Sequence, residues 1–204
     1  MKLFDLTGRV AIVTGGNGGI GQGMALGLGQ GGAKLAIVGR NAEKNAAAVA
    51  ALGELGADAI GLEADVTAEA DCQGLVERTL THFGRVDILV NNAGINIRKQ
   101  PQDYTLAEWH AIVDGNLTSA FLCARAVYPA LLKAGGGKII TTPHCRRSWV
   151  SRSPRPTAPA RAASSSSPGH SPPPGPRTTS RSTRSCPAGS TLTLPDRRAS
   201  TFPA

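Results

Sequence analysis

Apolar runs rich in β-branched residues alternate with stretches of helical periodicity along residues 1–142. A short run without polar positions, such as Val10-Ala11-Ile12-Val13, is typical of a strand that is buried on both faces. Strands that alternate with helices predict a parallel sheet covered by helices on both sides, the doubly wound α/β arrangement. The predicted strands cover 9–14, 34–38, 57–63 and 86–91, and a fifth strand begins at 138. The first predicted helix follows the glycine-rich turn and ends near 31, and the later helices cover 42–55, 69–83 and 105–134.

The composition changes abruptly near residue 142. Residues 1–142 carry 12 Lys or Arg and 13 Asp or Glu, whereas residues 143–204 carry ten Arg and a single acid, Asp196. The chain's net charge of +8 therefore comes from the second part, which also holds 12 of the 14 Pro. A segment so poor in apolar residues cannot bury enough surface to offset its chain entropy. We expect one folded domain over 1–142, C-terminally incomplete, and a disordered Pro/Ser/Arg-rich tail over 143–204.

Membrane, secretory and metal-binding classes find no support in the sequence. No apolar run is long enough to cross a bilayer, and Met1–Asp5 lacks the apolar stretch of a signal peptide, so we expect a cytoplasmic protein. The four cysteines have neither zinc-ligand spacing nor a secretory context. We expect Cys72 and Cys123 to be reduced, buried thiols, and we expect no metal site.

A glycine-rich turn between the first predicted strand and the first helix carries the first functional signal. The segment is Thr14-Gly15-Gly16-Asn17-Gly18-Gly19-Ile20-Gly21. Glycines in this position allow a tight turn and let backbone N–H groups approach a pyrophosphate at the helix N-terminus. The sequence therefore predicts a Rossmann-like dinucleotide site, with candidate cofactor-binding residues Gly15, Asn17, Gly18, Gly19, Ile20 and Gly21.

The sequence resembles the classical short-chain dehydrogenases/reductases, whose first turn is Thr-Gly-x-x-x-Gly-x-Gly. Three further landmarks follow in family order: Asp65-Val66, Asn91-Asn92-Ala93-Gly94, and Asn116 in Asn116-Leu117-Thr118-Ser119. The resemblance covers Leu6 to about Thr141. It implies that Asp65 and Val66 hold the adenine end, that Asn92, Ala93 and Gly94 lie beside the cofactor, and that Asn116 is catalytic by anchoring a water in a proton relay. Asn91 and Asn92 could instead tie neighbouring strands together.

The end of the second predicted strand bears on cofactor choice. An acid there would accept from the ribose 2′-OH, whereas a basic residue would pair with a 2′-phosphate. The segment Val38-Gly39-Arg40-Asn41 has no acid and offers Arg40. We therefore prefer NADP to NAD, although Arg40 could equally be a solvated surface residue.

The family's proton-transfer residues are missing from this chain. The resemblance implies a Ser that polarises the substrate carbonyl and a Tyr-x-x-x-Lys motif that moves the proton. After Ile140 the chain continues Thr141-Thr142-Pro143-His144, and no Tyr follows Tyr128. Neither Tyr104 nor Tyr128 has a Lys four residues later.

With a free choice of synonymous codons, the tail is compatible with a shift of reading frame that would account for the loss. Joining the last base of each tail codon to the first two bases of the next makes Pro156-Thr157 compatible with Tyr and Ala160-Arg161 with Lys, at the family spacing. Pro143-His144 regroups to Ser in the same way. We therefore expect the tail to be an out-of-frame translation, with the slip near residues 141–143.

Two functions remain open at the level of sequence. The family implies an NAD(P)-dependent oxidoreductase that transfers hydride between nicotinamide and a carbonyl/alcohol substrate, of the sugar-acid (gluconate) or 3-oxoacyl type, with catalysis impaired in this chain. The alternative is a residual dinucleotide-binding module with a basic tail that attracts phosphate nonspecifically. Arg98 and Lys99 could face an acidic substrate or form a solvated loop. No specific nucleic-acid partner is expected, since Trp149 and Phe202 are the tail's only aromatics. The resemblance implies a homo-oligomer. Because the family's segment from the catalytic Ser onward is missing, it is open whether this chain forms one.

Overall fold

The computed structural model describes residues 4–142 and the backbone of Thr191–Thr193. The strands are β1 (Val10–Thr14), β2 (Lys34–Gly39), β3 (Ala59–Glu63), β4 (Ile88–Asn91), β5 (Lys138–Thr141) and β6 (Thr191–Thr193). The α-helices are α1 (Gly19–Gln30), α2 (Ala42–Glu54), α3 (Glu69–Phe83), α4 (Leu106–Val113) and α5 (Ser119–Lys133). A short 3₁₀ turn, Pro101–Asp103, precedes α4.

The strands form one sheet in the order β3-β2-β1-β4-β5-β6. The first five pair in parallel, so the predicted Rossmann-like α/β fold is confirmed. The chain moves outward from β1 to β3 and then returns to place β4 on the other side of β1. This reversal puts a topological switch point between β1 and β4, and the carboxyl ends of the strands there are where such sheets bind ligands.

Side chains that alternate along β1 point into two separate cores. Ile12 packs with Leu75 of α3 and Leu131 of α5 on one side of the sheet. Val13 packs with Leu35 of β2 and Leu52 of α2 on the other side. The two-sided burial explains the unbroken apolar runs of the central strands, since neither face meets water.

Cys72 and Cys123 are buried in the first of these cores. They are free thiols, as expected, and their Sγ atoms lie 3.6 Å apart between α3 and α5. The contact with the Cys72 thiol raises the pKa of the Cys123 thiol, and burial raises it further. Both residues therefore serve as small apolar packing groups in the described structure.

The structure differs from the sequence-based expectations in two elements. The helix predicted over 105–134 is divided by a π-helical turn, Asp114–Thr118, between α4 and α5. The second difference lies in the segment expected to be disordered, where Thr191–Thr193 pair antiparallel with Lys138–Ile140 as β6. Without β6 the outer edge of β5 would present unpaired N–H and C=O groups, and the sequence Thr-Leu-Thr suits a strand that pairs with them.

The remaining expectation for the tail, including the predicted disorder and the out-of-frame origin, falls on residues outside the described part of the chain. Within the described part, no helix is long and apolar enough to cross a bilayer.

Candidate active site

A cleft of about 520 Å³ opens at the carboxyl ends of the first four strands. Four segments of the chain converge on it: the glycine-rich turn after β1, the ends of β2 and β3, and the segment after β4. The π-helical turn closes one side. The residues that line the cleft are Gly15, Asn17, Val38, Gly39, Arg40, Ala64, Asp65, Val66, Thr67, Ala93, Gly94, Ile95, Ala111, Asp114 and Gly115.

The glycine-rich turn leads directly into the N-terminus of α1. Gly19 has φ = +53°, a conformation that a residue with a side chain rarely adopts, and Gly18 precedes the helix without a side-chain cap. The N–H groups of the first turn of a helix have no partner within the helix, and they favour a negatively charged group. A pyrophosphate meets these requirements, so the turn fits a dinucleotide.

Gly21 lets α1 approach the rest of the site. A Cβ atom at this position would lie far inside van der Waals contact with the carbonyl oxygen of Gly15 and with Asn92 Nδ2. The residue is buried. The third glycine of the motif is therefore required for helix packing, the role that glycines have in dinucleotide-binding turns.

A pair of amides connects the turn to the end of β2. Asn17 Nδ2 donates to Asn45 Oδ1 at 2.7 Å, and Asn45 Nδ2 donates to the carbonyl oxygens of Gly39 and Leu62 at 2.9 and 3.1 Å. Asn45 lies on α2 and is 2% exposed. Arg40, the next residue after β2, is exposed at the cleft.

Asp65 forms a tight turn at the end of β3. Its Oδ1 accepts from the backbone N–H of Thr67 at 3.0 Å and from the Thr67 hydroxyl at 2.7 Å. These two bonds hold the pKa of Asp65 below its ordinary value, partial burial opposes them, and the charge of Arg40 lowers the pKa further. Asp65 is therefore a carboxylate at neutral pH, and the positive charge of Arg40 lies within its electrostatic reach.

Asn92 ties the ends of β1 and β4 together beneath the cleft. Its Nδ2 donates to the carbonyl oxygens of Thr14 and Gly15 at 3.3 and 3.2 Å, and its backbone N–H donates to Thr14 Oγ1 at 3.1 Å. The side chain is 6% exposed. These bonds show that Asn92 links neighbouring strands, which was the alternative role considered for it. Ala93 and Gly94 form part of the wall of the cleft.

Asn116 lies in the π-helical turn and bonds to the segment after β4. Its Nδ2 donates to the carbonyl oxygen of Ile95 at 2.9 Å and to that of Ile112 at 2.8 Å. Carbonyl oxygens only accept, so the amide nitrogen must lie on this side and Oδ1 on the other. Oδ1 is buried and has no hydrogen-bond partner among the described residues. Single-turn π-helices are frequent at functional sites.

The structure brings most of the predicted site residues together. Gly15, Asn17, Arg40, Asp65, Val66, Ala93 and Gly94 line one cleft, and Asn92 and Gly21 pack below it. The side chain of Ile20 is 71% exposed and does not line the cleft, and Gly18 and Gly19 are exposed on the turn. Asn116 is next to the lining residue Gly115.

Sequence reasoning missed Asn45, Thr67 and Asp114. Asn45 had a recognisable signal, because it occupies the buried face of α2 together with Ala48 and Leu52, where an apolar residue is normal. Thr67 follows Asp65 at the spacing of an Asx turn. Asp114 had no local signal, since only the π-helical turn places it beside the cleft.

Comparison with known proteins agrees with this geometry. Residues 9–164 match the family of short chain dehydrogenases, past the domain boundary predicted at 142. A 3-oxoacyl-[acyl-carrier-protein] reductase of Synechocystis is 40% identical over 138 residues, which are 66% of this chain and 55% of that protein. A 2-dehydro-3-deoxy-D-gluconate 5-dehydrogenase of Dickeya dadantii is 37% identical over 141 residues, which are 69% of this chain and 55% of that protein. The chain thus spans about half the length of these relatives.

Solved structures show the same likeness. A 7α-hydroxysteroid dehydrogenase in complex with NADH and 7-oxo glycochenodeoxycholic acid superposes with a TM-score of 0.65 and 34% identity, covering 68% of this chain and 54% of that one. A short-chain type dehydrogenase/reductase from Mycobacterium marinum gives a TM-score of 0.67 and 35% identity, covering 69% of this chain and 57% of that one. By its fold, its glycine-rich turn and these matches, the chain belongs to the short-chain dehydrogenase family.

Proposed function

We propose that the cleft binds NADP(H), and NAD(H) more weakly, and that the family's hydride transfer between nicotinamide and a carbonyl/alcohol substrate is the activity of the complete gene product. The observation that carries this proposal is the convergence of the glycine-rich turn with the ends of β2, β3 and β4 on one cleft of about 520 Å³. Pyrophosphate would meet the N-terminus of α1, and the adenine end would lie between Arg40 and Asp65.

The preference for NADP(H) rests on charge at the end of β2. Arg40 is exposed at the cleft, and no acid precedes it to accept from a ribose 2′-hydroxyl. A guanidinium pairs well with a phosphate. Asp65 also attracts Arg40, because the Arg40 charge lowers the pKa of Asp65. A 2′-phosphate would compete with this carboxylate for Arg40, so we expect only a modest preference.

Asn116 is the one residue of the described chain to which we assign a catalytic role. Its buried Oδ1 has no hydrogen-bond donor within the described part of the chain, and an uncompensated buried acceptor is unusual. We propose that Oδ1 accepts from a water of the proton relay when the complete site is formed. The nicotinamide supplies or accepts the hydride when it is bound. Asn92 positions the cofactor through the ends of β1 and β4 that it joins.

The chain as written is proposed to bind cofactor without appreciable turnover. Its sequence lacks the Ser and the Tyr-x-x-x-Lys that the family uses for proton transfer and carbonyl polarisation. General acid–base catalysis alone contributes roughly 10²- to 10⁴-fold to rates, so its loss reduces turnover by at least that factor. The second candidate function, a dinucleotide-binding module with a nonspecific basic tail, rests on this same absence.

Cofactor binding and turnover are measured separately to test both parts. Titration calorimetry of the full chain with NADP⁺ and NAD⁺ should give saturable binding, tighter for NADP⁺. NADPH oxidation with keto sugar acids and 3-oxoacyl thioesters should stay at the rate of the protein-free control. An absence of binding to both cofactors overturns the proposal, tighter binding of NAD⁺ overturns the preference, and NADPH oxidation overturns the claim of lost turnover.

Two basic residues in the segment after β4 favour an acidic substrate. Lys99 Nζ lies 2.5 Å from Glu108 Oε1, so its charge is already compensated within the protein. Arg98 precedes it on the exposed loop. An acidic substrate of the sugar-acid type would therefore meet Arg98 rather than Lys99. The Arg98→Ala variant, with Lys99→Ala as the matched control, tests this in the complete enzyme through the KM for the acid.

A further inference from the structure

The hydrogen bonds of Asn45 fix the orientation of two side-chain amides. Its Nδ2 is 2.9 Å from the carbonyl oxygen of Gly39 and 3.1 Å from that of Leu62. Carbonyl oxygens accept and never donate, so the nitrogen of Asn45 must face them and its Oδ1 must face Asn17. The atom of Asn17 at 2.7 Å must then be the donor Nδ2. Neither amide can be reversed without placing two acceptors in contact.

This arrangement leaves Asn17 with an available acceptor. Asn17 lines the cleft, and its Nδ2 is used by Asn45. Within residues 4–142, Asn17 Oδ1 makes no hydrogen bond. A neutral oxygen acceptor in a nucleotide cleft suits a hydroxyl donor, and it repels a phosphate less than a carboxylate would.

The same pair of amides excludes an acid from the end of β2. A Cβ atom on Gly39 would lie far inside van der Waals contact with Asn17 Nδ2, and at 2.8 Å from Asn45 Oδ1. In dinucleotide-binding folds a carboxylate near the end of this strand accepts from the ribose. Here the space for such a side chain is filled, so a ribose hydroxyl needs another acceptor.

We propose that Asn45 is a positioning residue for the adenosine ribose of the cofactor: it holds the amide of Asn17 with Oδ1 toward the cleft, where that oxygen accepts from a ribose hydroxyl. The inference rests on the proposed function, since it requires an adenine dinucleotide in the cleft. Asn45 itself is buried and does not touch the cofactor. Its effect passes through Asn17 alone.

A double-mutant cycle with a ligand pair tests the proposal. The probes are ADP and 2′,3′-dideoxy-ADP, which differ only in the ribose hydroxyls. One hydrogen bond contributes roughly 1 kcal/mol, about a fivefold change in Kd. We expect the unmodified chain to bind ADP about fivefold more tightly than dideoxy-ADP, and the Asn17→Ala variant to bind the two nucleotides alike.

The Asn45→Leu variant separates positioning from general support of the strands. It should raise the Kd of ADP about fivefold when Asn17 is present, and by less than twofold in the Asn17→Ala background. Equal weakening in both backgrounds would show that Asn45 only supports the strands and would overturn the proposal. Asn45→Ser replaces Asn45→Leu if the latter does not fold, and it carries the same expectation.

The two levels of the hypothesis fail in different ways. If the unmodified chain binds neither ADP nor NADP⁺, the proposed function is wrong and this inference is wrong with it. If the chain binds ADP but does not distinguish it from dideoxy-ADP, only the inference is overturned. A comparison of thermal unfolding for all variants ensures that changes in Kd are measured on folded protein.

Discussion

Gly21 is a single position at which the spacing of the cofactor site can be tested. A Cβ atom there would collide with the Gly15 carbonyl and with Asn92. Gly21→Ala should therefore push α1 away from β4, weaken NADP⁺ binding at least about tenfold, and lower the free energy of unfolding by about 1–3 kcal/mol. Titration calorimetry and urea unfolding measure the two effects.

Gly23 provides the matched control on the same helix. Among the residues that the structure describes, none lies within 4 Å of a Cβ atom added at Gly23. Gly23→Ala should leave the Kd for NADP⁺ unchanged and raise the free energy of unfolding by up to about 1 kcal/mol, the difference in helix propensity. Identical NADP⁺ affinities for the two alanine variants would contradict the packing argument.

Asp87 predicts how stability depends on pH. Burial would raise the pKa of this carboxyl, but hydrogen bonds from Arg85, Arg9 and the Val10 N–H outweigh burial and hold the pKa below its ordinary value. A carboxyl whose folded pKa is depressed contributes stability above its unfolded pKa of about 3.9, and this contribution is lost as pH falls through the folded pKa.

The Asp87→Asn variant isolates this contribution. It should lower the free energy of unfolding at pH 7 by about 1–3 kcal/mol, because hydrogen bonds to a buried charge are replaced by weaker ones. Below pH 4 the gap between variant and unmodified chain should narrow. Urea unfolding from pH 7 to pH 3 measures it, and a gap that stays constant with pH would rule out the assignment.

Individual residues of the site were predictable to different degrees. The glycines are recognisable because the backbone geometry of the turn demands this residue type at fixed spacing, whereas Asp65 was indicated by the family resemblance alone. The double role of Asn92, strand tie and neighbour of the cofactor cleft, was open in the sequence because one amide suits both. Asn45 could be singled out as a polar residue on an apolar helix face. Its hydrogen-bond partners could not be predicted, because Gly39 and Leu62 belong to two strands that meet only in the folded sheet.

At the scale of elements, the N-terminus of α4 is stabilised by hydrogen bonds between neighbouring residues. Thr105 Oγ1 accepts from the Glu108 N–H at 3.2 Å, and Glu108 Oε2 accepts from the Thr105 N–H at 3.0 Å, which forms a capping box. Thr105→Ala should destabilise α4 by about 1 kcal/mol and speed hydrogen exchange in residues 106–113. Thr81→Ala, at an exposed site within α3, is the control and should leave exchange in α4 unchanged.

The predicted elements agree with the structure where periodicity alone defines them. The strands and α1–α3 follow from buried runs and amphipathic spacing. The π-helical turn at Asp114–Thr118 could not be predicted, because the residues before and after it both have the periodicity of an α-helix and nothing in the sequence marks the wider turn between them. Its position depends on the bonds of Asn116 to Ile95, a residue distant in sequence. The pairing of β6 depends on a free edge of β5, which only the assembled sheet reveals.

At the scale of the whole molecule, large apolar side chains are exposed along α5 and the π-helical turn before it, within the described residues. Leu117, Phe121 and Tyr128 are 69%, 59% and 44% exposed. We expect the chain to self-associate through these side chains and to aggregate. The family resemblance implies a second interface helix, after the catalytic Tyr, and the sequence of this chain lacks it. Phe121→Glu should increase the monomer fraction in light scattering, whereas Leu55→Glu, at another exposed leucine, should not. A chain that is monomeric without either change would contradict this expectation.

If the tail is an out-of-frame translation, the coding DNA and the repaired protein have testable properties. The coding DNA should contain a single-base insertion or deletion near codons 141–143 whose reversal restores Ser and Tyr-x-x-x-Lys. The repaired chain should oxidise NADPH with a carbonyl substrate at least about 100-fold faster than the chain as written, because general acid–base catalysis becomes possible. Its Kd for NADP⁺ should change much less, since the described cleft is built from residues before 142.

A repaired frame that lacks the Tyr-x-x-x-Lys motif would refute the frame-shift hypothesis. A repaired chain that contains the motif and shows no NADPH oxidation would refute the assignment of lost turnover to the missing proton-transfer residues.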